Sequence, residues 1–332
     1  MSTTSYGAPC MSGGGFVVAL AGIVVALAGF APSRGAGRNP DDFRPAGRTE
    51  AVNVSPRDDT VPDSAQLTWR PGQPTQGDLV VLRITPPPGA ELKAVAGRGG
   101  GEDLHFYSTD GGALESLVPV PVDASGSVEV TVTLHYASGT AQPLEASIPV
   151  TPGSFHHEKL EVAPELGSPL SKANAARLAR DQAKAREVSR EADRTGRLWT
   201  HQVVFPRKSR VTGEFGDGRI FNGQVSSRHL GLDLNGAVGD TVVATARGVV
   251  ALVDRFLLAG NIVYLNHGAG LISGYFHLSK QLVTVGDTVE AGTPIGLVGA
   301  TGRVTGPHLH WVVRYGTTSV DPESLIPALV GR

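Results

Sequence analysis

Five of the ten histidines in this 332-residue chain lie from position 229 onward. In Arg228-His-Leu-Gly-Leu-Asp233, His229 and Asp233 stand at i and i+4. In Gly306-Pro-His-Leu-His-Trp311, His308 and His310 stand at i and i+2. Even spacing along a strand puts side chains on one face, so each pair shares a face and Leu309 turns the other way, into a core. Two such strands side by side would direct imidazoles and a carboxylate into one groove. Two imidazole nitrogens and one carboxylate oxygen form the protein ligand set of a catalytic zinc, with a fourth position left open to water. His277, in Gly274-Tyr-Phe-His-Leu278, would close that position if it were a ligand. It fits better beside His308 as a base or hydrogen-bond donor. Spacing does not say which of His308 and His310 binds the metal. The bland alternative is a scatter of unrelated histidines, but two same-face pairs flanked by glycines argue against it.

Composition narrows the remaining chemistry. The 29 Lys+Arg nearly balance the 31 Asp+Glu, so no broad basic surface suits nucleic acid. The single cysteine, Cys10, excludes an internal disulfide and thiolate zinc sites. There is no HExxH helix, no G-x-S-x-G elbow and no Walker loop. With 43 Gly, 23 Pro and 6% aromatic residues, the chain suits turn-rich β structure better than helical bundles. Its length allows two ordinary domains with linkers.

These features predict a mainly β protein in five parts. Residues 1–31 are a signal peptide or an uncleaved N-terminal anchor. Their apolar run Phe16–Ala31 is short for a membrane span of about 20 residues and suits a signal-peptide core, with an Ala26-x-Ala28 cleavage option. No Lys or Arg precedes the run, which departs from the usual pattern, and Cys10 lies upstream of it, so it is no lipobox cysteine. Residues 32–64 are polar, rich in Pro, Gly, Arg and Asp, and read as a flexible tether. Residues 65–160 carry short apolar runs between turn clusters and are expected to form an immunoglobulin-like β-sandwich. Leu79–Ile84 is one such run, and Val128, Val130, Val132, Leu134 and Tyr136 mark one buried face of another. His105 and His135 are expected as partly buried structural histidines. The run His156-His157-Glu158 is set aside as a metal cluster because adjacent strand residues face opposite ways. Residues 161–198 hold the one expected helix, Ser168–Asp193, a solvated connector packing a thin stripe onto a neighbour. Residues 199–332 return to strands. There Val238-Gly-Asp-Thr-Val242 recurs as Val285-Gly-Asp-Thr-Val289, suggesting a sheet of two similar halves.

The motifs HLGLD, YFHL and TGPHLHW, together with Glu214-Phe-Gly216, Gly248-Val-Val250 and Val320-Asp-Pro322, resemble those of the lysostaphin/LytM-type zinc endopeptidases of peptidoglycan. The resemblance covers residues 199–332 and implies an antiparallel β-sheet metallopeptidase domain. It makes His229, Asp233 and His310 the ligands of Zn2+, and His277 and His308 the catalytic pair that orients or deprotonates water and stabilises the oxyanion. His267 matches a position commonly His in that family without being a ligand, and is read as structural. The implied substrate is peptidoglycan peptide, reached by export to the periplasm or cell envelope. A membrane tether through the N-terminal segment and cell-wall or division partners are compatible with it.

Two alternatives come from other classes. Some relatives have lost ligands and activate other wall hydrolases, but all five positions are intact here. The repeated VGDTV also resembles the β hammerheads of biotinyl and lipoyl carriers. Only Lys208 and Lys280 lie in the C-terminal part, and neither sits in a carrier-type hairpin.

Overall fold

The computed structural model describes residues 64–160, 171–221 and 224–330. The expected signal or anchor segment, and all but the last residue of the expected tether, lie outside them. No helix among the described residues is long and apolar enough to cross a membrane.

The first eight strands are β1 (Gln66–Arg70), β2 (Leu79–Thr85), β3 (Leu92–Gly99), β4 (Glu102–Asp103), β5 (Tyr107–Ser108), β6 (Leu114–Pro119), β7 (Ser127–Tyr136) and β8 (Ala141–Pro149). They form two four-stranded antiparallel sheets, ordered β1-β2-β6-β5 and β4-β3-β7-β8. Lettered A to G in chain order, with β4 as C′, this is the ABED and C′CFG arrangement of immunoglobulin-like sandwiches. The alternation read in β7 holds for Val128, Val130, Val132 and Leu134, which are buried while their neighbours are not, but Tyr136 at its end is only half-buried. Strand β2 is buried on both faces except at Arg83 and Thr85, because its outer face meets a second helix described below. His135 is exposed on β7, so it is a surface residue and not the partly buried one expected. His105 is half-buried, with Nε2 3.3 Å from Asp193 Oδ1.

Strand β9 (His157–Leu160) and helix α1 (Lys172–Arg194) lead onward. Ser171 caps α1, its hydroxyl accepting from Asn174 N–H; the expected start at Ser168-Pro169 lies outside the described residues. Strong helix formers fill the exposed face. Asp181, Ala185, Val188, Ser189 and Ala192 form the buried stripe, at spacings of three and four that keep one face inward.

The C-terminal strands are β10 (Val211–Gly213), β11 (Gly218–Phe221), β12 (Gln224–Arg228), β13 (Leu232–Asn235), β14 (Thr241–Val243), β15 (Gly248–Phe256) and β16 (Gly260–Gly268). They continue with β17 (Leu271–Leu278), β18 (Lys280–Gln281), β19 (Thr288–Val289), β20 (Pro294–Leu297), β21 (His308–Tyr315) and β22 (Thr318–Val320). The large sheet is antiparallel and ordered β10-β13-β21-β17-β16-β15-β19, with β22 on β21. One of its faces buries Leu232, Leu234, Leu309, Trp311 and Tyr275 in a core continuous with the sandwich. Its other face presents Ile262, Tyr264, Ile272, Phe276 and Val312 to the stripe of α1.

Two features depart from the expectations. A second helix, α2 (Pro322–Val330), packs on β2 and β21. Its start was legible in Asp321-Pro322, since Asp321 Oδ1 accepts from Glu323 N–H and proline suits the first helical turn. The two VGDTV copies make the same turn: Asp240 Oδ2 accepts from Ala237 N–H at 2.7 Å, and Asp287 Oδ2 from Thr284 N–H at 2.8 Å. Their strands then enter different sheets, β14 pairing with β20 and β19 with β15. The repeat is therefore of a turn, not of two halves of one sheet.

Candidate metal centre

Strands β13 and β21 pair so that Asp233 lies directly opposite His310, and Asn235 opposite His308. Directly opposed residues on one face have adjacent Cβ atoms, so register alone brings the carboxylate to the imidazole. His229 arrives differently. It lies between β12 and β13, held by backbone bonds from its N–H to Asp217 O and from Gly216 N–H to its carbonyl. Even spacing put it on the correct side, but no strand shared with Asp233 does so.

Three atoms converge: His229 Nε2 is 3.0 Å from Asp233 Oδ1 and 3.0 Å from His310 Nδ1, and His310 Nδ1 is 2.7 Å from Asp233 Oδ1. Ligand atoms around a four-coordinate zinc stand about 3.3 Å apart for bonds of about 2.0–2.1 Å, so the donor set fits a small metal ion with little adjustment. His229 Nδ1 lies 2.7 Å from Glu214 O, and a carbonyl only accepts, so the proton is on Nδ1 and Nε2 offers its lone pair inward. Lone pairs facing a carboxylate in a buried site require a cation or proton between them. Among the described residues this is the one His/Asp/Glu/Cys group that could hold a metal ion.

Glycines make room for two of the three converging residues. A Cβ at Gly231 would stand 2.7 Å from His310 Cε1, and one at Gly213 would stand 2.7 Å from Asp233 Oδ2. Neither approach tolerates a side chain without moving His310 or Asp233.

The two other histidines of the groove sit alongside. The His277 ring is 5.0 Å from that of His308 and 5.9 Å from that of His310. His277 Nδ1 is 2.9 Å from Thr301 O, and His308 Nδ1 is 2.9 Å from Gly306 O. Both rings therefore carry the proton on Nδ1 and present Nε2 as an acceptor. His308 Nε2 is buried without a hydrogen-bond partner, 3.7 Å from Asp233 Oδ1. His277 is a non-glycine residue at φ 62°, placed by a register shift between Asn261/Leu278 and Val263/Tyr275. Such irregularities re-aim a side chain.

The charges at the three converging atoms are coupled. Burial pushes His229 down, but the Asp233 carboxylate outweighs it and leaves it raised. Burial would raise Asp233, yet the neighbouring His229 and His310 hold it well below the usual carboxylate range. Burial lowers His310 against the pull of Asp233. Burial, reinforced by His310 and His308, takes His277 down to about 3. Ionised Asp233 and neutral His310 are the forms a metal binds, whereas His229 has to give up its Nε2 proton when a metal takes that place.

His267 lies elsewhere. It is fully buried, with Nδ1 2.9 Å from Arg247 O and Nε2 2.8 Å from Ser273 Oγ, and burial lowers it to about 4. The exposed His156 and half-buried His157 join no ligand group among the described residues.

Comparison with known proteins gives a consistent picture. The model of peptidase family M23 matches residues 227–322. Peptidoglycan DD-endopeptidase ShyC of Vibrio cholerae is 40% identical over 104 residues, which are 31% of this chain and 24% of that protein. An uncharacterized metalloprotease of Buchnera aphidicola is 35% identical over 123 residues, 36% of this chain and 32% of that one. The chain thus spans between a quarter and a third of the length of these curated relatives. A crystal structure assigned to peptidase M23 from Pseudomonas aeruginosa aligns over 77% of this chain and 96% of its own, with TM-score 0.58 and 26% identity. The last match takes in strands ahead of the metal centre as well as the centre itself. Residues 227–322 are thus a peptidase M23 domain, of the lysostaphin/LytM type that its histidine motifs resemble.

Proposed function

We propose that this chain is a zinc-dependent endopeptidase that hydrolyses peptide cross-links of bacterial peptidoglycan in the cell envelope. The observation that carries the proposal is the convergence of His229 Nε2, Asp233 Oδ1 and His310 Nδ1 within 3.0 Å of one another, with His277 and His308 beside them. These three residues would hold the zinc. When bound, zinc with an open fourth position acts as a Lewis acid toward a carbonyl and acidifies water. The remaining work belongs to the protein. His277 Nε2 and His308 Nε2 face the groove as bases, one to take the proton of the attacking water and return it to the leaving amine. The imidazole that holds that proton also donates a hydrogen bond to the developing oxyanion. With no HExxH glutamate in the sequence, imidazoles fill this role.

The names of the Vibrio relatives, peptidoglycan DD-endopeptidases, make the cross-link with a D-amino acid the first bond to test. The apolar run Phe16–Ala31 supports export or anchoring at the membrane. Zinc analysis of the purified protein, with mass spectrometry of muropeptides released from sacculi, tests the reading. One zinc per chain and loss of cross-linked dimers is the expected result. A folded protein that binds no zinc and releases nothing would instead be a silent activator of other hydrolases.

A further inference from the structure

Asp181 is an acidic residue in the middle of α1, and only 7% of its surface is exposed. It lines a small apolar cavity under the helix with Leu178, Ala185, Phe256, Leu258 and Phe276. An alanine there would favour the helix more, and a buried carboxylate is costly unless it is bonded. Its Oδ2 accepts from Leu257 N–H at 2.7 Å, across the interface.

Leu257 opens the turn between β15 and β16, and the next two residues reach the groove. Leu258 O accepts from Arg303 N–H at 2.8 Å, and Ala259 O from His277 N–H at 2.9 Å. Thr301, beside Arg303, supplies the carbonyl that accepts from His277 Nδ1. Its hydroxyl accepts from Asn261 N–H at 2.9 Å. The backbone and the ring of His277 are therefore both held by the segment Leu257–Asn261 and the loop it supports. His277 needs such support, because a non-glycine residue at φ 62° holds a sparsely populated conformation only when its surroundings impose it.

We infer that Asp181 is a positioning residue for His277, acting through the Leu257–Ala259 turn. Helix α1 thereby sets the geometry of the groove without touching substrate. The inference builds on the catalytic role proposed for His277, but the coupling itself can be measured apart from activity.

The test uses the full chain labelled with 15N-histidine, with Asp181→Ala, Asp181→Asn and, as a control, Arg190→Ala on the exposed face of the same helix. In Asp181→Ala the His277 amide should shift and exchange with solvent about tenfold faster, while those of His229 and His310 hold. On a cross-linked muropeptide dimer, kcat should fall about ten- to hundredfold, with KM and zinc content unchanged. Asp181→Asn, which keeps an acceptor for Leu257 N–H, should restore both readouts, and Arg190→Ala should change neither. Should Asp181→Ala not fold, Asp181→Leu fills the apolar cavity while still removing the acceptor. A folded variant with an unmoved His277 amide, or an equal loss in Asp181→Asn, overturns the inference. If the wild-type protein cleaves no cross-link, the proposed function fails, and the His277 amide still decides the coupling.

Discussion

The two sides of the groove are built by different means. On one side Asp233 and His310 face each other in regular antiparallel pairing, and the ladder between β13 and β21 fixes their approach. On the other, His277 follows a register shift at φ 62° and depends on a turn, a loop and a helix from outside the sheet. A ladder spreads its constraint over many bonds, so one substitution perturbs it little. A strained residue held by a few carbonyls has no such reserve. The Asp233–His310 pair is therefore rigid by register, and His277 is rigid only by context.

Substitutions can break this comparison at several points. The largest effect is expected from His310→Ala, which removes one of the three proposed ligands. Zinc content and muropeptide release should disappear together, while circular dichroism stays that of a folded β protein. A folded His310→Ala variant that keeps its full zinc content would refute the ligand assignment. His277→Ala should be smaller and of a different kind, with zinc retained and kcat down about 10²–10⁴-fold. A fully active His277→Ala variant would show that the context-held side has no part in turnover.

The smallest effect concerns the fold rather than the groove. His267 is buried in the sheet and lowered to about 4, so the unfolded chain takes up a proton first as pH falls. Its contribution is therefore complete above about pH 6.5 and is lost as pH falls toward about 4, by the order of 3 kcal/mol. Urea unfolding of metal-free protein, wild type against His267→Gln, isolates this slope from zinc release. Parallel pH dependences in the two proteins would remove His267 from the balance.

What the sequence revealed follows the same division. Period-two patterns exposed β7, the same-face pair His308 and His310, and the inward Leu309, because pleating is local and regular. The spacing of His229 and Asp233 pointed to the right groove, though a loop carries His229. The choice of His310 over His308 as ligand came from family resemblance. In the structure it is His310 Nδ1 that stands 2.7 Å from Asp233 Oδ1. The left-handed backbone at His277 and the reach of Asp181 to Leu257 left no local signal, because both depend on contacts between distant segments. Helix α2 was missed because its apolar residues read equally well as a strand, although Asp321-Pro322 marked its start.

The stripe between α1 and the large sheet also bears on how this protein can be divided. A fragment beginning at residue 199 would keep His229, Asp233 and His310 together with His277 and His308. It would also turn Ile262, Tyr264, Ile272, Phe276 and Val312 into a bare apolar strip along the sheet. Contiguous surface of that kind drives self-association, so the fragment should be sticky and poorly soluble. A shortened version with good handling properties would have to begin ahead of Ser171, and the helix belongs with the catalytic sheet as part of its solubility.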